Sequence, residues 1–340
     1  MALVRTCAPI EAEGRGSEMQ YDTLGKTGMK VSRLCFGTMS FGGDADEEMA
    51  AKMFRRCREA GINFFDCANI YSKGKAEEVL GRLIGDCRDE LVITSKVGFP
   101  MADGSVGPGL SRRTIMMAIE DSLTRLNTDR LDIYFCHRFD PAPCIDESLR
   151  AMDDLIRQGK VIYAGLSNWA AWQTARAIGR AEVLGLAGVH VIQPMYNLAK
   201  RTAEIEILPL AKAQGLGVMP YSPLGGGLLT GKYGSAKKDP DGRLSTNPMY
   251  VKRFAAEQNY EIAERFCAYA KRVGVHPVTL AVAWVKANPN VTAPIIGARN
   301  LDQLEASLAA ADYEMTCDQW KEISALTPPV PVATDRDEER

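Results

Sequence analysis

Residues 63–81 read NFFDCANIYSKGKAEEVLG. The stretch opens as a strand, with Phe64 and Phe65. It closes as an amphipathic helix, with Val79, Leu80, Leu83 and Ile84 on one face. Asp66 ends the strand and Tyr71 lies five residues further on. Taken alone, a carboxylate at a strand end is ordinary turn chemistry, and a tyrosine beyond it is an ordinary half-buried residue. What decides the fold is that the strand-then-helix unit recurs.

Eight short runs rich in Val, Ile, Leu and Phe can be read along the chain: RLCFGTM (33–39), NFFDC (63–67), LVITSKVG (91–98), LDIYFCHRFD (131–140), VIYAGLSN (161–168), VHVIQPMYN (189–197), GLGVMPYSPL (215–224) and APIIGAR (293–299). Stretches of helical length separate them. In 111–126, Ser111 is placed to cap a helix that carries Ile115, Ile119, Leu123 and Leu126 at three- and four-residue spacing. In 146–158, Leu149, Met152 and Ile156 do the same, and Leu301, Leu304 and Leu308 mark an eighth helix after the last run. Near-continuously apolar strands alternating with helices predict a parallel sheet covered on both faces. Eight units are the number that closes a (β/α)8 TIM barrel. A doubly wound open sheet is the rival, but it wants GxGxxG after its first strand, and FGTMSFGGD does not supply it.

Ahead of the first run, QYDTLGKTGMKVSRL reads as an N-terminal β-hairpin turning at Lys26–Gly28, positioned to plug the barrel's N-terminal end. Long loops are expected after strand three (98–110) and strand seven (225–250), both rich in Gly and Pro. Barrel enzymes build their sites from loops at this end of the strands. The organisation expected is a flexible extension over residues 1–18, one barrel over 19–327 and a tail over 328–340.

The totals narrow the function. A formal net charge of −2 gives no field for nucleic acid or for an anionic membrane surface. No apolar run reaches the roughly 18 residues of a membrane span, and the N-terminus has no secretory apolar core. Nine cysteines without a CxxC pair suit a reducing, cytoplasmic setting, and three histidines make a zinc cluster a poor reading. Nothing indicates a homo-oligomer.

In a barrel the strand C-termini converge on one rim. That would gather Asp66 and Tyr71 from strand two, Lys96 from strand three and His137 from strand four. Lys96 and His137 also interrupt otherwise apolar strands, which costs free energy unless they are paired. A free phenol titrates near 10 and gives up its proton poorly at neutral pH. The adjacent ammonium is expected to favour the phenolate, the carboxylate to hold the ammonium, and the imidazole to bind the substrate oxygen or relay the proton. That set suits carbonyl reduction, with Tyr71 protonating the oxygen while a nicotinamide provides hydride.

At this point the sequence resembles the aldo-keto reductase superfamily. The resemblance runs from about Met19 to Leu326 and rests on DCANIY, SKVG, GLSN, YSPLGGGLLTGKY and PIIGAR. It is nearer the bacterial and channel β-subunit-like branch than the aldose reductase branch. The resemblance implies a (β/α)8 barrel that reduces aldehydes or ketones with NADPH, with Asp66, Tyr71, Lys96 and His137 as its catalytic set. It implies that Gly37, Thr38, Met39 and Asp66 border the cofactor. Ser167, Asn168 and Gln193 would take the carboxamide, and Tyr221 would stack on the nicotinamide. Ser222, Pro223, Leu224, Gly226, Gly231 and Lys232 would surround the pyrophosphate. Gly297, Arg299, Gln303 and Ser307 would approach the adenosine end, with Arg299 at the 2′-phosphate. The chain departs from the family where Ala306 and Ser307 replace the usual Glu and Asn facing the adenine. Met39, Phe41, Phe99 and the loop from Tyr233 to Tyr250 are expected to line an apolar substrate pocket. The alternatives are a nucleotide-sensing regulatory or binding subunit of the same fold with slow turnover, and, disfavoured by its few histidines, a metal-dependent barrel hydrolase.

Overall fold

The computed structural model describes residues 19–101, 104, 107–336 and 338. The extension read at 1–18 lies outside the described residues, as do 102–103 and 105–106 of the first long loop and 337, 339 and 340 of the tail.

The hairpin pairs β1 (Tyr21–Thr23) antiparallel with β2 (Lys30–Ser32). Eight parallel strands follow: β3 (Cys35–Gly37), β4 (Phe64–Asp66), β5 (Val92–Val97), β6 (Leu131–Cys136), β7 (Val161–Ser167), β8 (Val189–Gln193), β9 (Gly217–Val218) and β10 (Ile295–Ile296). Their order in the sheet is β10-β3-β4-β5-β6-β7-β8-β9. The two ends meet: Thr292 N donates to Val218 O at 2.8 Å, and Ile295 N donates to Pro220 O at 2.9 Å. The ring is thus a (β/α)8 barrel, as the eightfold recurrence predicts.

The helices are α1 (Glu47–Glu59), α2 (Lys75–Ile84), α3 (Arg112–Leu126), α4 (Ile145–Arg157), α5 (Ala171–Leu184), α6 (Ile207–Gln214), α7 (Arg243–Thr246), α8 (Pro248–Arg253), α9 (Glu257–Val273), α10 (Pro277–Lys286), α11 (Leu301–Leu308) and α12 (Cys317–Ser324). Ser111 caps α3 as expected, accepting from Thr114 N at 3.2 Å. The segment after β9 departs from expectation. It is not a bare loop, because Asn247 accepts from Met249 N and Tyr250 N and starts α8 at Pro248. Among the described residues no helix is long and apolar enough to cross a membrane.

Side-chain alternation along the strands sorts two layers. Phe64, Val92, Ile133, Phe135, Val191, Met219 and Ile295 fill the lumen together with Leu24 and Val31 of the hairpin. Phe65, Ile93, Tyr134 and Cys136 face the helices. Leu24 and Val31 are fully buried and Lys26 N donates to Gly215 O just before β9, so the hairpin does close the N-terminal end. A Cβ at Gly165 would stand 2.4 Å from the Phe135 ring, so glycine there is what lets that ring fill the barrel. The same parity carries on to the opposite end. Counting in twos from Phe64, Val92, Phe135, Val191 and Met219, the next lumen positions at the C-terminal rim are Asp66, Lys96, His137, Gln193 and Tyr221.

Candidate active site

Five strands, β4, β5, β6, β8 and β9, deliver these side chains to one place. Lys96 Nζ lies 2.6 Å from Asp66 Oδ2, 2.6 Å from Cys67 O and 3.3 Å from Tyr71 Oη. Its ammonium stands 4.9 Å from the centre of the Tyr71 ring. Lys96 is wholly buried and Asp66 is 2% exposed. The other carboxylate oxygen, Asp66 Oδ1, accepts from Thr94 Oγ1 at 2.7 Å and Gln193 Nε2 at 2.8 Å. A buried ion pair is tolerable only when its remaining hydrogen-bonding capacity is met in this way.

Tyr71 heads a short turn, Tyr71–Gly74, in which Ser72 and Lys73 take left-handed backbone angles (φ 48° and 60°). Such angles are costly for non-glycine residues and cluster where a structure holds a side chain in a set place. His137 is 9% exposed; its ring stands 6.2 Å from the Tyr71 ring, and Asn168 Nδ2 donates to its carbonyl at 2.9 Å.

The electrostatics correct one expectation. Burial pushes the Tyr71 phenol well above its ordinary pKa, and the opposing pull of Lys96 does not cancel that. Tyr71 therefore rests as a protonated phenol, a loaded proton donor. Burial opposes the charge on Lys96, but Asp66 and Tyr71 outweigh it and hold the ammonium. Burial, then Lys96 and Arg138, push His137 well below its usual value, so the imidazole is neutral.

The residues assigned to a cofactor separate into two groups. Ser167 Oγ donates to Gln193 O, Asn168 Nδ2 donates to Ser167 Oγ, and Tyr221 Oη donates to Asn168 Oδ1 at 2.6 Å, so these four form one network that meets Asp66 through Gln193. Thr38 is fully buried and its hydroxyl donates to Asp66 O, which locks β3 to β4. Gly37 ends β3, pressed by Ile295, and Met39 beyond it is exposed. Pro223 and Leu224 lead into the turn Gly225–Thr230, where a Cβ on Gly226 would come within 2.6 Å of the Tyr250 ring. Gly231 follows, and Lys232 Nζ stands 3.7 Å from Asp239. Beyond Gly297, Arg299 Nε lies 3.0 Å from Asp44 Oδ2, and Gln303 Oε1 accepts from Arg299 N. Ser307 is 1% exposed and its hydroxyl bonds Gln303 O within α11.

Two features were missed from the sequence, the bracing of Asp66 and the acid partner of Arg299. Thr94 and Gln193 brace Asp66, although the strand parity signals both. Asp44 binds Arg299 and also lies 3.7 Å from Arg243 Nη2; no local pattern signals that. Phe41 is a correction, because it is wholly buried and its ring packs 5.7 Å from that of Phe36. Tyr233 and Tyr250 are likewise buried, the Tyr233 hydroxyl accepting from Leu244 N. Phe99 does stand at the site, 4.8 Å from His137.

A carboxylate, an ammonium, a phenol and a neutral imidazole thus share the barrel's C-terminal rim. The description of the Aldo/keto reductase family matches residues 33–328, and the chain belongs to that family. It is similar to an uncharacterised oxidoreductase, YrpG, of Bacillus subtilis, with 38% identity covering 91% of this chain and 96% of that one. It is similar to a probable voltage-gated potassium channel subunit β of Arabidopsis thaliana, with 38% identity over 86% of this chain and 92% of that one. A putative aryl-alcohol dehydrogenase of Schizosaccharomyces pombe is 32% identical, over 92% of this chain and 97% of that one. The family and these relatives make the protein an oxidoreductase by kinship, and the family generally uses nicotinamide cofactors.

Proposed function

We propose that the protein reduces aldehydes or ketones to alcohols with NADPH, using Tyr71 as the proton donor. The observation that carries this reading is the Lys96 ammonium, locked against Asp66 Oδ2 at 2.6 Å and within 3.3 Å of the Tyr71 hydroxyl. When bound, NADPH supplies the hydride that adds to the carbonyl carbon. Tyr71 Oη gives its proton to the carbonyl oxygen as that oxygen gains charge, and Lys96 stabilises the phenolate left behind. Asp66 fixes Lys96 and keeps it charged. His137, neutral and with a ring 6.2 Å from that of Tyr71, orients the same oxygen.

The residues suit the cofactor. A ring, Tyr221, sits beside Asn168; a glycine run turns where backbone must come close; and Arg299, Arg243 and Lys232 place cations around one segment. Arg299 would read the 2′-phosphate and Lys232 the pyrophosphate.

The test is steady-state oxidation of NADPH with 4-nitrobenzaldehyde and 9,10-phenanthrenequinone, wild type against Tyr71→Phe. Turnover by the wild type, lost in the variant, is expected; no turnover of any carbonyl would overturn the reading. The likeness to channel β subunits favours a second reading, a nucleotide-sensing subunit. It predicts tight NADPH binding with turnover slower than cofactor release.

A further inference from the structure

Arg138 follows His137 directly on the loop that leaves β6, and it is exposed. Its guanidinium carbon stands 4.7 Å from the centre of the Phe99 ring. The same ring packs against His137 at 4.8 Å with an interplanar angle of 88°. One phenyl ring therefore touches both the imidazole of the site and the Arg138 guanidinium. The next residue, Phe139, packs 4.9 Å from Trp169 and 6.0 Å from Trp172, which leaves 59% of the Trp172 surface open.

Among the described residues, no carboxylate forms an ion pair with Arg138. The neighbouring acids are engaged elsewhere. Asp140 accepts from Leu110 N at 2.8 Å and from Ala142 N at 3.0 Å, and Asp146 binds Arg180. Many exposed arginines of this protein have an acid beside them, as Arg82 has Glu47 and Arg112 has Asp154. Arg138 is instead held by an aromatic face, which orients the guanidinium and removes water from one side while leaving its donors free.

We propose that Arg138 is a specificity-determining residue that selects carbonyl substrates carrying a carboxylate, aromatic aldehydo acids in particular. This inference rests on the carbonyl-reduction reading of the same site. The substrate's carbonyl oxygen lies at Tyr71 and His137, its ring lies along Phe99, and its carboxylate meets the guanidinium as a two-pronged ion pair. Arg138 plays no part in the proton or hydride transfer, so it sets KM and leaves kcat alone.

The experiment compares 4-carboxybenzaldehyde with its methyl ester, in NADPH-dependent reduction by the wild type, Arg138→Met and Arg138→Lys. The wild type should prefer the acid. Arg138→Met should lower kcat/KM for the acid by about 10–100-fold, nearly all in KM, and leave the ester unchanged. Arg138→Lys should recover part of the loss, and added salt should erode the preference. If the ester is reduced but the acid is not preferred, or if Arg138→Met affects both alike, Arg138 selects nothing and the reductase reading stands. If neither these compounds nor 4-nitrobenzaldehyde and 9,10-phenanthrenequinone are turned over, the reductase reading falls, and binding decides this proposal. Quenching of tryptophan fluorescence by 4-carboxybenzaldehyde should then saturate with the wild type and weaken with Arg138→Met; equal curves would overturn it.

Discussion

The two halves of the candidate site are built on opposite plans. At the donor corner, Asp66, Lys96 and Tyr71 hang on β4, β5 and the turn behind β4, and Lys96 is wholly buried. At the other end, Lys232 and Arg299 keep 57% and 37% of their side-chain surface, and the Asp44 that binds Arg299 keeps 51%. The first half is held by hydrogen bonds that have no competing water. The second is held by exposed ion pairs, each worth about 0–1 kcal/mol. In the proposed reaction the donor corner would deliver a proton along one fixed line, while the exposed end would exchange a carboxylate for an incoming phosphate at little cost.

Five measurements probe that contrast. Lys96→Met should have the largest effect. It leaves the Asp66 carboxylate buried without its cation, a loss of about 3–5 kcal/mol in stability, and it removes the charge that stabilises the Tyr71 phenolate. Chemical denaturation and kcat read the two losses separately. Asp66→Asn should be milder, because Asn can still accept from Lys96. A greater loss with Asp66→Asn would assign Asp66 another role.

Tyr71→Phe should lower kcat at least about 100-fold, the contribution of a positioned acid, with NADPH affinity and stability close to wild type. Near-normal turnover would remove Tyr71 from the mechanism.

Arg299→Ala tests the exposed end. Loss of a hydrogen bond to a charged group should weaken NADPH binding by about 1.5–3 kcal/mol and leave NADH binding nearly unchanged. Equal losses in titrations with the two nucleotides would show that Arg299 does not read the 2′-phosphate.

The pH dependence separates the halves again. With its pKa raised, Tyr71 keeps its proton up to and beyond the ordinary phenol value of about 10, so reduction should show no limb from Tyr71 below that pH. The unfolded phenol ionises first, so the Tyr71 contribution to stability is present below pH about 10 and fades above it. His137 has the opposite sign. Its folded pKa is depressed, so the unfolded state takes the proton first and stability falls as pH drops below about 6.5. Thermal unfolding of the wild type and of His137→Gln across pH 5–8 checks this, because the variant should lose the His137 part of that acid-side slope and keep the part from His190, which burial also holds below its usual value.

The smallest expected effect is on the segment after β9. Saturating NADPH should slow proteolytic nicking between Gly234 and Pro248, since a ligand that binds the closed segment draws population from its open form. Unchanged nicking would leave α7 and α8 as surface decoration, outside the recognition half.

Much of the donor corner was legible without coordinates. Lys96 and His137 break apolar strands, Asp66 ends one, and a barrel must bring those ends together, so the recurrence of strand and helix also placed these residues on one rim. The helices α7 and α8 were not legible, because a segment crowded with Gly, Pro and Lys carries no amphipathic face. Neither was the burial of Phe41, Tyr233 and Tyr250, since an aromatic residue in a loop has no local sign of which way it turns.

The sequence by itself determined the eight units, the hairpin and the rim residues, because strand alternation and helix periodicity are local properties of the chain. Only the tertiary structure decided that Tyr71 is a protonated phenol despite its ammonium neighbour, because that sign is the difference between a desolvation cost and a Coulomb attraction, both set by packing. Only it paired Asp44 with Arg299, 255 positions away along the chain (299 − 44). It also left Arg138 on an aromatic face with no ion pair among the described residues. Contacts between residues so far apart in the chain, or absent where a neighbour is expected, are fixed by how the barrel closes and by nothing nearer in the sequence.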